Sequence, residues 1–179
     1  MVDGAEAPAE PTSPVRARRL GAVGLVAAAV VAADQGTKQW ALERLSGGRI
    51  VEVVGSLRFA LTFNTGMAFS RGDGANLGPF IAVLALGVVG WLLWSGHSAT
   101  ALGALASGLV AGGALGNLAD RALRSGPYGA EAGFMGGAVV DFIDLQWWPV
   151  FNVADSGVVV GALLLVVTSF REPHPVAAR

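Results

Sequence analysis

Cysteine is absent from this chain of 179 residues, and histidine occurs only at His97 and His174. The first absence excludes disulfides, thiol nucleophiles, iron–sulfur clusters and cysteine-ligated zinc together. The second leaves too few imidazoles for a histidine-rich metal centre. Charge is scarce too. Asp, Glu, Lys and Arg make up 14% of the residues, against about a quarter in soluble domains. A formal net charge of −1 and a pI near 6.1 give no basic surface for nucleic acid. Any chemistry has to come from carboxylates, hydroxyls, lysine or the backbone.

What the chain has instead is apolar side chains, 53% of the total, with a mean hydropathy of +0.57. The length suits one domain. Residues 1–19 are rich in Ala, Pro, Glu and Ser, the composition of a disordered tail. That tail ends in Arg16, Arg18 and Arg19, and the apolar run Leu20–Ala33 follows at once. A basic stretch, a short apolar run and Val31-Ala32-Ala33 also resemble a cleavable signal peptide. The run continues, however, through Asp34, Lys38 and Trp40 at helical spacing, long enough for a span of about 20 residues. A retained first helix is therefore expected. Further apolar runs cover Leu77–Trp94, Ala101 to Leu118 and Val150–Phe170.

These runs predict an α-helical integral membrane protein with four transmembrane helices inside residues 20–171, followed by a short tail at 172–179. Gly and Ala are abundant in the third and fourth runs, which lets helix backbones approach closely in lipid. The Arg16/Arg18/Arg19 cluster favours a cytoplasmic N-terminus, and four spans return the C-terminus to the same side. The outer connections nevertheless carry Lys38, Arg44, Arg49, Arg58, Arg71, Arg121 and Arg124, so the orientation rests on the first helix. Between spans one and two, Leu57, Phe59, Leu61 and Phe63 alternate with other residues at the period of a half-buried strand. Arg49–Val54 is β-branched and pairs with it through Gly55-Ser56. A small β-sheet in the outer loop between helices 1 and 2 is the expectation.

On this topology Asp34, Lys38, Asn117, Asp120, Arg121, Asp141, Asn152 and Asp155 all fall at one side of the bilayer. Carboxylates there are costly and point to function. Asp34 and Lys38, four apart, share a helix face and read as an ion pair that orients helix one, worth ~1 kcal/mol if it behaves as a surface pair. Asp120 and Arg121 read as a helix-end anchor, Asn64-Thr65-Gly66 as a turn, and Asp144 as solvated. Asp141 and Asp155 sit among bulky apolar neighbours without an adjacent cation. Two such carboxyls brought close cannot both ionise cheaply, so they would share a proton. One then takes a proton from water attacking a carbonyl, while the other supports the oxyanion and protonates the leaving amine.

Asp34-Gln-Gly-Thr-Lys38, Asn64-Thr-Gly-Met-Ala-Phe69, Gly112-Gly-Ala-Leu-Gly-Asn-Leu-Ala-Asp-Arg121, Val139-Val-Asp-Phe142 and Phe151-Asn-Val-Ala-Asp155 together resemble the five motif blocks of lipoprotein signal peptidase, the type II signal peptidase of bacteria. The resemblance implies an aspartyl endopeptidase of the inner (cytoplasmic) membrane, with its active site at the outer face. The implied substrates are prolipoproteins whose cysteine carries diacylglyceryl, cut just before that cysteine. Asp141 and Asp155 are the implied catalytic pair. Asp34, Lys38, Asn64, Gly66, Gly113, Asn117, Asp120, Arg121, Asn152 and Ala154 are the implied supporting and substrate-binding set. Membrane lipids and globomycin-type inhibitors are the other implied partners, and no metal or organic cofactor is implied. The chain departs from the family pattern in a longer, glycine-rich Arg124–Ala138 connection and in Met67 after Gly66. A serine mechanism from Ser107 and His97 would put the pair at opposite faces. An ion relay would put charge in mid-span, where none of the four runs has any.

Overall fold

An apolar helix without a polar face is stable only where lipid or other helices cover it. Among the described residues the computed structural model has four helices with long apolar stretches, α1 (Pro14–Leu45), α2 (Gly78–Trp94), α3 (Ala101–Leu123) and α4 (Val153–Ser169). It describes residues 14–65, 78–94, 100–124, 135 and 137–170, so Gly66, Met67, His97 and most of the Arg124–Ala138 connection lie outside the described residues. α1 and α3, at 32 and 23 residues, are long and apolar enough to cross a membrane. α2 and α4 have 17 residues each, the lower end of what a span needs. α4 starts at Val153 rather than Val150 because Asn152 takes an extended N-cap conformation, φ −131°.

α3 packs against both α1 and α4, and glycine makes this possible. A Cβ at Gly112 would lie 2.8 Å from the Ala27 carbonyl oxygen, and one at Gly113 would lie 2.3 Å from that of Ala154. Small residues at these crossings let backbones meet where lipid offers no hydrophobic drive to association. The usual distribution of polarity is reversed. Phe170, Leu25 and Leu163 are exposed, while Asp34, Lys38, Asp120 and Asn152 are fully buried.

The sheet is larger than the expected hairpin. β1 (Ile50–Val54) and β2 (Leu57–Asn64) pair antiparallel as anticipated, and Gly55 supplies the left-handed turn at φ 57°. A third strand, β3 (Val139–Asp144), pairs antiparallel with β2, with Thr62 opposite Asp141. The sheet therefore draws on two connections, that between α1 and α2 and that between α3 and α4. The third strand escaped the period-2 reading because it is buried on both faces, so its apolar residues and Asp141 do not alternate. Phe59 and Phe142 stack with Trp40 at 5.4 and 6.1 Å between ring centroids, and with Ala41 and Leu45 they fasten the sheet to the end of α1.

Gly113→Ala should lower the thermal unfolding midpoint in detergent, by the equivalent of about 1–3 kcal/mol for overpacking, because the atom it strikes is backbone. Gly87→Ala on α2, where a Cβ meets nothing within 4 Å, should leave the midpoint unchanged.

Candidate active site

Each functional side chain is held by a feature of its own element. Asp34 and Lys38 are i and i+4 on α1, with 2.8 Å between Lys38 Nζ and Asp34 Oδ2. The same ammonium lies 2.8 Å from Asp120 Oδ2 on α3 and donates to Asn117 Oδ1 at 2.9 Å. Its three N–H groups thus have three acceptors, and no part of the side chain reaches solvent. Asp34 Oδ1 accepts the Ala154 backbone N–H at 2.9 Å, which ties α1 to the first turn of α4. Gly116 lets Asp34 approach, since a Cβ there would fall 2.7 Å from Asp34 Oδ2.

Asp155 is placed by a capping box. Asn152 Oδ1 accepts the Asp155 N–H at 2.9 Å and the Asn152 N–H donates to Asp155 Oδ2 at 3.2 Å, so each residue satisfies an orphan donor of the other. Asn117 Nδ2 donates to the remaining oxygen, Asp155 Oδ1, at 2.8 Å. Asp141 is placed by β3. Gly137 N–H donates to Arg121 O at 3.1 Å and Val140 N–H to Asp120 Oδ2 at 3.1 Å, so the chain leaving the long connection is pinned to the end of α3. Phe151 exchanges backbone hydrogen bonds with Ile143, folding the cap of α4 back against β3. Asn152 Nδ2 then donates to Asp141 Oδ1 at 2.6 Å and to Asn117 Oδ1 at 3.1 Å.

Asp141 and Asp155 are therefore bracketed by one pair of amides, and they sense each other. Burial and the Asp155 charge push the Asp141 carboxyl up to about 6, opposed by hydrogen bonds from Asn152 and Asn64 and by the Lys38 charge. Burial disfavours the charged form, and a nearby like charge adds to it. Arg121 is 6% exposed and interacts electrostatically with Asp141, Asp120 and Asp155. Its Nε and Nη1 have no hydrogen-bond partner among the described residues. A groove of about 380 Å³ runs between α2, α3 and α4, walled by Leu84, Val88, Val110 and Val159 and ending at Arg121 and Asp155. Among the described residues no group of three or more potential metal-binding side chains occurs.

Three readings change. Asp120 is more than a helix-end anchor: it pairs with Lys38 and Arg124, the latter at 2.8 Å, while Arg121 interacts electrostatically with Asp141 and Asp155 as well as with Asp120. Asp144 is not solvated: it lies 2.7 Å from Arg58 Nε and accepts the Gln146 N–H, which holds its carboxyl below the usual range. The Asp34/Lys38 pair is not surface-like, because both side chains are wholly buried. Gln35 and Arg124 were missed. Gln35 Nε2 donates to Asp34, to Gly116 O and to Asp120. Arg124 was legible in principle, since it stands four residues after Asp120 on one helix face. Ser107, the serine weighed as a nucleophile, is fully buried within α3.

Two carboxyls bracketed by one pair of amides, one of them lining an apolar groove, in a mostly helical and membrane-embedded chain, fit the class of membrane aspartic peptidases. The chain belongs to the signal peptidase II family: the family model described as signal peptidase (SPase) II matches residues 26–171. It is 40% identical over 162 residues to the lipoprotein signal peptidase of Mycobacterium tuberculosis (strain ATCC 25618 / H37Rv), covering 89% of this chain and 76% of that protein. It is 40% identical over 171 residues to that of Rhodococcus jostii (strain RHA1), covering 94% and 82%. Among solved structures it resembles a bacterial membrane enzyme determined by the in meso method at 2.3 Å resolution, with TM-score 0.68 and 28% identity over 85% of this chain and 89% of that one.

Asp34→Asn removes one of the two carboxylates that offset a buried ammonium and turns an N–H toward it. Breaking one partner of a buried pair costs about 3–5 kcal/mol, well above the surface-pair figure. Thermal unfolding and membrane accumulation should fall accordingly, while turnover per folded molecule falls less. Normal accumulation with no turnover would move Asp34 into the catalytic set.

Proposed function

We propose that this protein removes the signal peptides of prolipoproteins by aspartyl catalysis, cutting just before a cysteine that carries diacylglyceryl, with Asp141 and Asp155 as the catalytic pair. The observation that carries this reading is the Asn117/Asn152 amide pair, which gives an N–H bond to each carboxyl. Both oxygens of Asp155 already accept N–H bonds, which suits it to take the proton of the attacking water. Asp141, raised by burial and by the Asp155 charge to about 6, is the proton holder. It donates to the carbonyl oxygen as the tetrahedral centre forms; Asp155 then passes the proton it took from water to the leaving nitrogen, and Asp141 takes its own back from the diol hydroxyl as the C–N bond breaks. The free Nε and Nη1 donors of Arg121 suit a substrate carbonyl, and the apolar walls of the groove suit alkyl groups of the lipidated peptide. Asn64 and Gly66 would flank the substrate, and a globomycin-type inhibitor would occupy the same groove.

The same reading takes α1–α4 as four spans, α1 beginning at Pro14 inside the expected 1–19 tail, with both termini in the cytoplasm. The sheet and the carboxyl pair then lie at the outer face of the inner membrane. Alkaline phosphatase fused after Phe69 should be active, and a fluorescent protein at the C-terminus should fluoresce. A silent Phe69 fusion beside an active C-terminal phosphatase reverses the orientation.

The decisive experiment is cleavage of a diacylglyceryl-modified precursor by purified protein, with unlipidated precursor as control. Asn is nearly isosteric with Asp but neither ionises nor delivers a proton. Asp141→Asn and Asp155→Asn should each fold, bind precursor and lose cleavage by about 10²–10⁴-fold, the double variant being scarcely worse than either. Asp144→Asn should stay active. The acid form of Asp141 is lost as pH rises through about 6, so kcat/KM should fall on the alkaline side from there, giving a bell-shaped profile. Near-normal cleavage by Asp141→Asn, with Asp120→Asn folded and dead, would assign the pair to Asp120 and Asp155.

A further inference from the structure

An asparagine amide beside a carboxylate works only one way round, because its nitrogen donates and its oxygen repels. Asn117 faces that choice at Asp155, and nothing within its own helix decides it. The decision comes from α1. Lys38 Nζ donates to Asn117 Oδ1 at 2.9 Å, and an ammonium has no acceptor capacity with which to tolerate the reversed amide. Asn152 Nδ2 donates to the same oxygen at 3.1 Å, so both lone pairs of Asn117 Oδ1 are used and its Nδ2 is turned onto Asp155 Oδ1 at 2.8 Å. The second amide is locked in turn. Asn152 Oδ1 accepts the Asp155 N–H, which leaves Nδ2 to reach Asp141 Oδ1 at 2.6 Å.

Resting on the reading of Asp141 and Asp155 as the catalytic pair, we infer that Lys38 is a positioning residue of the reaction, its ammonium setting through Asn117 the direction of the hydrogen bonds that hold both carboxyls. It touches neither of them. Its effect is to make Asp155 Oδ1 and Asp141 Oδ1 acceptors from an asparagine N–H, which fixes the orientation of both carboxyls. This goes beyond an ion pair that orients α1, for which any contact with Asp34 would suffice.

The groups facing Asp141 are Asn64 from β2, Arg121 from α3, Asn152 and Asp155 from the start of α4, and Lys38 from α1. Of these the Lys38 charge lowers the Asp141 pKa. Removing it lets Asp141 keep its proton to higher pH, so the alkaline limb of the rate profile should move upward.

The test measures kcat, KM and the pH profile on lipidated precursor for Lys38→Met, Asn117→Leu and their double variant, with thermal unfolding of each. Lys38→Met should lower kcat by up to about 100-fold, the scale of a lost alignment, with KM held and the alkaline limb raised. Asn117→Leu should lose kcat comparably, and the double variant should fall well short of the product of the two losses, since the residues act in series. Should Lys38→Met not accumulate folded, Asp34→Asn/Lys38→Met/Asp120→Asn takes its place, because it removes the charge without leaving carboxylates unpaired. Wild-type kcat in folded Asn117→Leu or in either Lys38 variant overturns the inference, as does a loss confined to KM or strictly multiplicative effects. Asp155→Asn, run alongside, separates the two readings: if it still cleaves, the catalytic pair itself is wrong, and if it is inactive while Lys38→Met is normal, only the role of Lys38 fails.

Discussion

A buried ammonium has to be given acceptors for all three of its protons, and the sheet-bearing end of this molecule is arranged around that demand at Lys38. Desolvating a charge costs several kcal/mol unless its partners are close and well aligned. Those partners come from α1 itself and from α3, through Asp34, Asp120 and Asn117. Each then has a second obligation. Asp34 receives the first turn of α4 through the Ala154 N–H, Asp120 receives β3 through the Val140 N–H, and Asn117 reaches Asp155. One cation thereby fixes three elements relative to a fourth.

The inner part of the helix bundle is held differently. There the contacts are glycine against close neighbours, as where Gly108 and Gly112 of α3 meet α1 and Gly161 of α4 meets α3, and dispersion rather than hydrogen bonding supplies the attraction. The division is sensible physically. Polar pairs deep in hydrocarbon are costly to assemble, whereas close-packed small residues cost nothing in desolvation. The polar network is confined to the end where the sheet shields it.

Much of this was legible in the sequence. The four apolar segments, the β1–β2 hairpin with its Gly55 turn and the gathering of Asp34, Lys38, Asn117, Asp120, Asn152 and Asp155 in one region follow from hydropathy, period and a shared end of the spans. What sequence concealed was which group meets which. Asp120 and Arg121 are neighbours in the chain, but adjacent helical residues face apart, so the pairing went to Lys38 and Arg124 instead. β3 was hidden because a strand covered on both faces loses its alternation. The position of Asp141 depends on contacts such as Gly137 with the end of α3, and no local pattern across the long connection announces them.

The sheet has a consequence for how the protein comes into being. Its central strand is made early and its third strand 75 or more residues later (Asn64 opposite Val139), and the link from Asp34 to Ala154 spans 120 residues. Contacts so remote in sequence form late, because the intervening chain must first be ordered. On the ribosome, α1, α2 and α3 can each enter the translocation machinery and settle before Asp155 has been polymerised. The cluster of Asp141, Asp155 and their two asparagines is thus the last part to assemble, because Asn152 and Asp155 come with the final helix.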